Sequence, residues 1–126
     1  MSDSNTSMFE YTIAFCAEGA NCSQAILQAG AKKFALQLPE EMLKSCSAIS
    51  AGFGIGGLCS GIIAGVMLLG LVFDETTAHQ KSILFFYTVQ ESLGSLNCCS
   101  IAGETNCHSA ISVICESLES LILESL

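Results

Sequence analysis

From Met8 onward, apolar residues recur at helical spacing rather than in alternation. Met8 to Ala17 reads as a short helix after a polar, acidic start, with Glu18-Gly19-Ala20 as the break that follows. Asn21 is suited to cap a second helix from Cys22 to about Leu36, whose apolar positions Ala25, Ile26, Ala29 and Phe34 fit the helical period only loosely. Pro39 opens a third, with Glu40 and Glu41 in the first turn, where the helix dipole favours anions. It is expected to run through Met42, Leu43, Cys46 and Ile49 toward Ala51. A glycine-rich stretch, Gly52-Phe53-Gly54-Ile55-Gly56-Gly57, leads into a strongly apolar helix over Leu58–Phe73 that carries Gly61, Gly65 and Gly70. Asp74-Glu75-Thr76-Thr77 begins the next, which passes through His79, Leu84, Phe85, Val89 and Leu93 and stops at Gly94. Ser95 to Asn106 reads as a loop. The last helix starts near Thr105 or Asn106 and repeats its apolar residues (Ala110, Ile111, Ile114, Cys115, Leu118, Leu121, Ile122) along one face. No segment alternates convincingly as a strand does. The expected fold is all-α, a compact bundle of five or six helices forming one domain over residues 9–126, behind a disordered N-terminus of residues 1–8.

Composition narrows the class. Of 126 residues, 51% are hydrophobic and 13% charged, with no tryptophan, so the core must be largely aliphatic. The net charge is −8, and Lys32, Lys33, Lys44 and Lys81 are the only cations besides histidine, with no arginine. That argues against a nucleic-acid surface, which requires clustered Lys and Arg, and against tight binding to anionic lipid. It suits docking to a basic partner. Ser45 to Phe73 is free of charge, yet its glycines leave only about 16 continuous apolar residues, short of the roughly 20 that a span needs. No basic cluster flanks the stretch, so no membrane span is expected. The first residues do not read as a secretory signal, so the expected location is the cytoplasm, where thiols stay reduced.

Against that background, eight cysteines in one short chain are the main chemical signal. Four lie where reactivity or ligation is favoured: Cys22 and Cys59 at helix starts, Cys98 in the loop, and Cys107 where the loop ends and the last helix begins. A helix start supplies N–H groups and a positive dipole end, which favour thiolate over thiol. Cys46 and Cys115 read as small core hydrophobes, and Cys16 lies within a helix. Cys99, beside Cys98, is either a spare or the true ligand of that pair. No Cys-x-x-Cys occurs, which removes zinc-ribbon, thioredoxin-type and bacterial ferredoxin motifs. The glycine-rich stretch is no phosphate loop, because no Gly-Lys-Ser/Thr follows it. His79 reads as a surface residue and His108 as a solvated helix-start residue or a neighbour of the site. Glu40/Glu41 and Asp74/Glu75 read as helix-start charges. Ser23 and Ser60 are placed to donate to the neighbouring sulfurs. Four separated thiolates can still converge in a helical fold. Spacing alone leaves metal binding, thiol–disulfide chemistry and a structural zinc site open.

The segments Asn21-Cys22-Ser23-Gln24-Ala25, Gly52 through Gly61, Leu69-Gly70-Leu71, Gly94-Ser95-Leu96-Asn97-Cys98 and Cys107 with Val113 resemble the C-GCAxxG-C-C family of redox-active proteins, from about residue 10 to 125. By position, the family cysteines fall on Cys22, Cys59, Cys98 and Cys107. The central motif departs from the family pattern, since Ser60-Gly61-Ile62-Ile63-Ala64 follows Cys59 where Gly or Ala, Ala, two variable residues and Gly are preferred. The resemblance implies a small helical domain of the kind that holds an iron–sulfur cluster in split-Soret cytochromes. The haem motif Cys-x-x-Cys-His is absent. The leading expectation is an electron carrier or oxidoreductase with a [2Fe–2S] cluster on those four cysteines as metal ligands, serving a redox partner protein. The alternatives are a metal-free thiol–disulfide protein and a zinc module. The Gly61/Gly65 stripe also allows either a homodimer or a partner helix within the chain.

Overall fold

The computed structural model describes residues 6–49, 57–97 and 107–124. Among them lie six helices: α1 (Met8–Ala17), α2 (Cys22–Phe34), α3 (Glu40–Ser45), α4 (Ser60–Val72), α5 (Glu75–Leu93) and α6 (Cys107–Leu123). The class is all-α, as the apolar periodicity requires, and the only extended pairing among the described residues is a single antiparallel bridge between Leu58 and Asn97. None of these helices is long and apolar enough to cross a membrane.

Most boundaries follow local chemistry. The Ser7 side chain caps α1, Asn21 caps α2, and Asp74 caps α5 by accepting from the Thr77 N–H at 2.8 Å. That N–H holds the Asp74 carboxyl below its usual value. Gly94, at φ +77°, ends α5 in the left-handed conformation that glycine adopts at little cost. Three ends differ from the sequence reading. Helix α4 begins at Ser60 rather than Leu58, because Leu58 is bridged to Asn97 and Cys59 is the N-cap. Helix α2 stops at Phe34 because Ala35 takes φ 55° and the Leu36 N–H turns back to the Ala31 carbonyl. Helix α3 ends at Ser45, well short of Ala51. Beyond it the backbone tightens into turns, Cys46 N–H to the Leu43 carbonyl at 3.1 Å and Ile49 N–H to the Cys46 carbonyl at 3.4 Å, and the side chains of Gln24 and Asn21 add a second donor to each of those carbonyls. The glycine-rich residues 52–56 and the loop residues 98–106 lie outside the described residues.

Two glycines set the helix packing. A Cβ at Gly61 would lie 2.9 Å from Ile26 Cδ1 and 3.3 Å from Ile114 Cδ1. One at Gly65 would lie 2.7 Å from the Phe85 ring and 3.3 Å from Leu118 Cδ1. The Gly61/Gly65 stripe therefore receives α2, α5 and α6 of the same chain. These contacts also fix direction. Ile26 meets Gly61 while Gly30 meets Leu68, and Ile114 meets Gly61 while Leu118 meets Gly65. Both pairs advance together, so α2, α4 and α6 run parallel. Thr12 touches Cys115 while the Met8 N–H reaches Glu119, so α1 runs antiparallel to α6. Helix α5 returns antiparallel to α4 and brings Leu96 to the Cys59 N–H at 2.9 Å. The core between them is largely aliphatic, with Phe85 and Tyr11 as its buried rings and Ile26, Leu27, Ile62, Leu68, Leu69, Ile114, Leu118 and Ile122 all sealed from solvent.

Candidate thiol site

The parallel arrangement puts three helix starts at one end of the bundle, and each begins with or directly follows a cysteine: Cys22 opens α2, Cys59 is the N-cap of α4, and Cys107 opens α6. Cys59 adopts φ −60° and ψ 128°, and its carbonyl accepts from the N–H groups of Ile62 and Ile63. Its sulfur lies 3.7 Å from where a Gly61 Cβ would stand, over a floor that includes Ile26 and Ile114. Cys22 is one turn before Ile26 on α2, or about 6 Å along the axis. Both Cys22 and Cys59 are half-buried and pack against the core. The Leu58–Asn97 bridge then binds the residue before Cys59 to the residue before Cys98. Periodicity could not reveal this bridge, since a one-pair ladder leaves no alternating pattern. Cys98 and Cys99 lie outside the described residues, as do the side chains of Cys107 and His108. Among the described residues no three His, Cys, Asp or Glu side chains gather as a metal site.

A polar clamp fixes the start of α2. Asn21 Oδ1 accepts from the Gln24 N–H at 3.0 Å, and Gln24 Oε1 accepts from the Asn21 N–H at 3.1 Å, a reciprocal capping box. Asn21 Nδ2 also donates to the Cys46 carbonyl at 3.2 Å, and Gln24 Nε2 donates to the Leu43 carbonyl at 3.0 Å. Ser23 donates to Asn21 Oδ1 at 2.6 Å and to the Cys46 carbonyl at 3.4 Å. These bonds give the Ser23 hydroxyl a structural role in place of the sulfur contact expected from sequence. Asn21→Ala removes the cap and leaves the Cys46 carbonyl without its Asn21 donor. It should cost about 1 kcal/mol in urea unfolding and speed hydrogen exchange in the first turn of α2. Unchanged exchange at Gln24 and Ala25 would contradict this role.

The other described cysteines divide as packing logic expects. Cys46 and Cys115 are each 1% exposed. Burial pushes the Cys115 thiol up to about 11, with the Thr12 hydroxyl 3.4 Å from its sulfur acting in the opposite sense. Because the folded value exceeds the ordinary thiol value of 9.0, the neutral thiol is the form the fold accepts. Its contribution is complete below pH 9 and is lost as the pH rises toward 11, at about 1.4 kcal/mol per pH unit. Urea midpoints measured across pH 8–10.5 should fall more steeply for the native chain than for Cys115→Ala; parallel slopes would refute it. Cys16, half-buried at the end of α1, is close enough to Cys115 to raise that thiol further.

Together these features define a small all-helical protein in which cysteines stand at the heads of three parallel helices. The chain belongs to the family described as "Putative redox-active protein (C_GCAxxG_C_C)", whose model matches residues 20–121. The match begins after α1. None of the curated proteins and none of the solved structures compared with the chain gives a match.

Proposed function

We propose that the protein transfers electrons through an iron–sulfur cluster, in the [2Fe–2S] form, held by Cys22, Cys59, Cys98 and Cys107. The observation that carries this reading is the common end of α2, α4 and α6, where three of the four cysteines begin their helices. The bridge at Asn97 supports the fourth, because Cys98 is the next residue in the chain. The donor set fits: thiolates are the ligands that iron–sulfur clusters take, and none of the four needs to be replaced by a harder atom. Three helix N-termini supply a positive field for an anionic thiolate group, in a chain with few cations to do so. The apolar floor of Ile26 and Ile114 lowers the local dielectric beneath Cys59. When bound, such a cluster supplies one-electron chemistry. The protein's own part is to hold four sulfurs, exclude water from one side and fix the helix starts.

Anaerobic reconstitution with iron and sulfide, followed by iron and sulfide analysis and a visible spectrum, tests the proposal. Two irons per chain and a visible charge-transfer band are expected for the [2Fe–2S] form. A colourless, iron-free product would overturn it. If the same sample then forms a disulfide between Cys22 and Cys59 on mild oxidation, thiol–disulfide exchange becomes the better reading.

A further inference from the structure

Helix α5 presents a face that no described element of the chain covers. Glu75, His79, Ile83, Tyr87 and Glu91 are spaced four residues apart, forming one row along the helix, and all five are exposed. The middle of the row is apolar: Ile83 is 55% exposed, Tyr87 68%, and Leu84 beside them 52%. Both ends carry a carboxylate. At the Glu75 end the row borders a groove of about 400 Å³ whose walls include Val66, Gly70, Ala78 and Ser82. A Cβ at Gly70 would meet nothing within 4 Å, so the groove is open at that point.

Charge selects the occupant. The chain has a net charge of −8 and four lysines. Lys81, the lysine of α5, is turned to Glu124 at 3.3 Å and lies over the Phe73 ring. Lys32 lies over the Tyr11 ring, Lys33 donates to the Thr6 carbonyl, and Lys44 belongs to the separate surface of α3 with Glu40 and Glu41. A second copy laid on this face would bring carboxylates against carboxylates. We infer that the Glu75–Glu91 face of α5 is a docking surface for a basic partner protein. The partner presents apolar side chains to Ile83, Leu84 and Tyr87 and a lysine or arginine to each end, one of them with its aliphatic stem in the groove beside Glu75. An apolar centre with a charged rim is the anatomy of a transient interface: the rim steers encounter, and a tyrosine anchors it. Helix α5 runs from this face to the thiol end of the bundle, with Gly94 about 10 Å along the axis from Tyr87. The surface would serve in this way whichever chemistry the four sulfurs perform.

The test is a titration of the isotope-labelled full chain, followed by amide NMR shifts, with two probes of equal charge. One is a helical peptide with leucines on one face and lysines on the other; the second is oligolysine. The amphipathic peptide should bind more tightly and move amides of residues 75–91. Tyr87→Ser should weaken it about tenfold. Paired Glu75→Lys and Glu91→Lys should remove most of its salt dependence, while paired Glu40→Lys and Glu41→Lys leave binding unchanged. Equal affinity for both probes, shifts centred elsewhere, or equal losses in the two charge-reversed variants would overturn the inference. So would a dimer in sedimentation that Tyr87→Ser dissociates, since the occupant would then be a second copy. Thermal melts of each variant confirm that these exposed substitutions leave the fold intact.

Discussion

Cys59→Ser and Cys22→Ser are each expected to reduce iron retained after anaerobic reconstitution at least about tenfold, while Cys46→Ala and Cys115→Ala retain it. Serine has nearly the shape of cysteine, so the helix starts should persist and circular dichroism should be unchanged. What is lost is a soft, readily ionised donor. The control cysteines are chosen on burial, at 1% exposure each: Cys46 lies beside the head of α2 but turns its sulfur to the Met42 carbonyl at 3.5 Å, and Cys115 sits in the core two turns beyond the start of α6. Cys98→Ser and Cys107→Ser should behave like the first pair, and Cys99→Ser like the controls. Full iron content in Cys22→Ser or Cys59→Ser would remove that residue from the ligand set. Equal loss in Cys115→Ala would point to general destabilisation.

Phe85→Ala should be the most damaging single core truncation, costing about 3–5 kcal/mol in urea unfolding. The ring is fully buried and is the aromatic group that fills the space left by Gly65. Removing it opens a cavity between α4 and α5; the nearest ring, Phe86, lies 6.2 Å away between centroids and is only partly buried. That cost is a large share of the 5–15 kcal/mol typical of a domain. Gly65→Ala should destabilise as well, by about 1–3 kcal/mol, because its methyl would stand 2.7 Å from the same ring. Combined with Phe85→Leu, Gly65→Ala should cost less than the sum of the two single changes. Strict additivity would indicate that the contact does not set the α4–α5 distance.

Local chemistry carried most of the secondary structure. Helices α1, α5 and α6, of 10, 19 and 17 residues, were legible from the break at Gly19, from the Asp74 start and Gly94 stop, and from the repeated apolar face of the last helix. The burial of Cys46 and Cys115 was also legible, since an isolated cysteine in a helix usually packs. The early stop of α3 was not, because the turns that follow it are braced by Asn21 and Gln24, side chains about twenty residues away that add donors to the Cys46 and Leu43 carbonyls. For the same reason Ser23, adjacent to a candidate ligand, could be read as a sulfur partner when its hydroxyl belongs to the clamp.

By itself, the sequence determined an all-helical chain, four cysteines set apart by their positions, and membership in a redox-active family that rests on those positions. Helical period, capping and charge are properties of neighbouring residues and need no fold to be read. Only the tertiary structure decided that α2, α4 and α6 run parallel, so that Cys22, Cys59 and the start of α6 share one end. Direction depends on which side chains fill the spaces at Gly30, Gly61 and Gly65, and that is a matter of packing between distant segments. The same packing left the row from Glu75 to Glu91 facing solvent, because α4 and α6 take up the opposite side of α5.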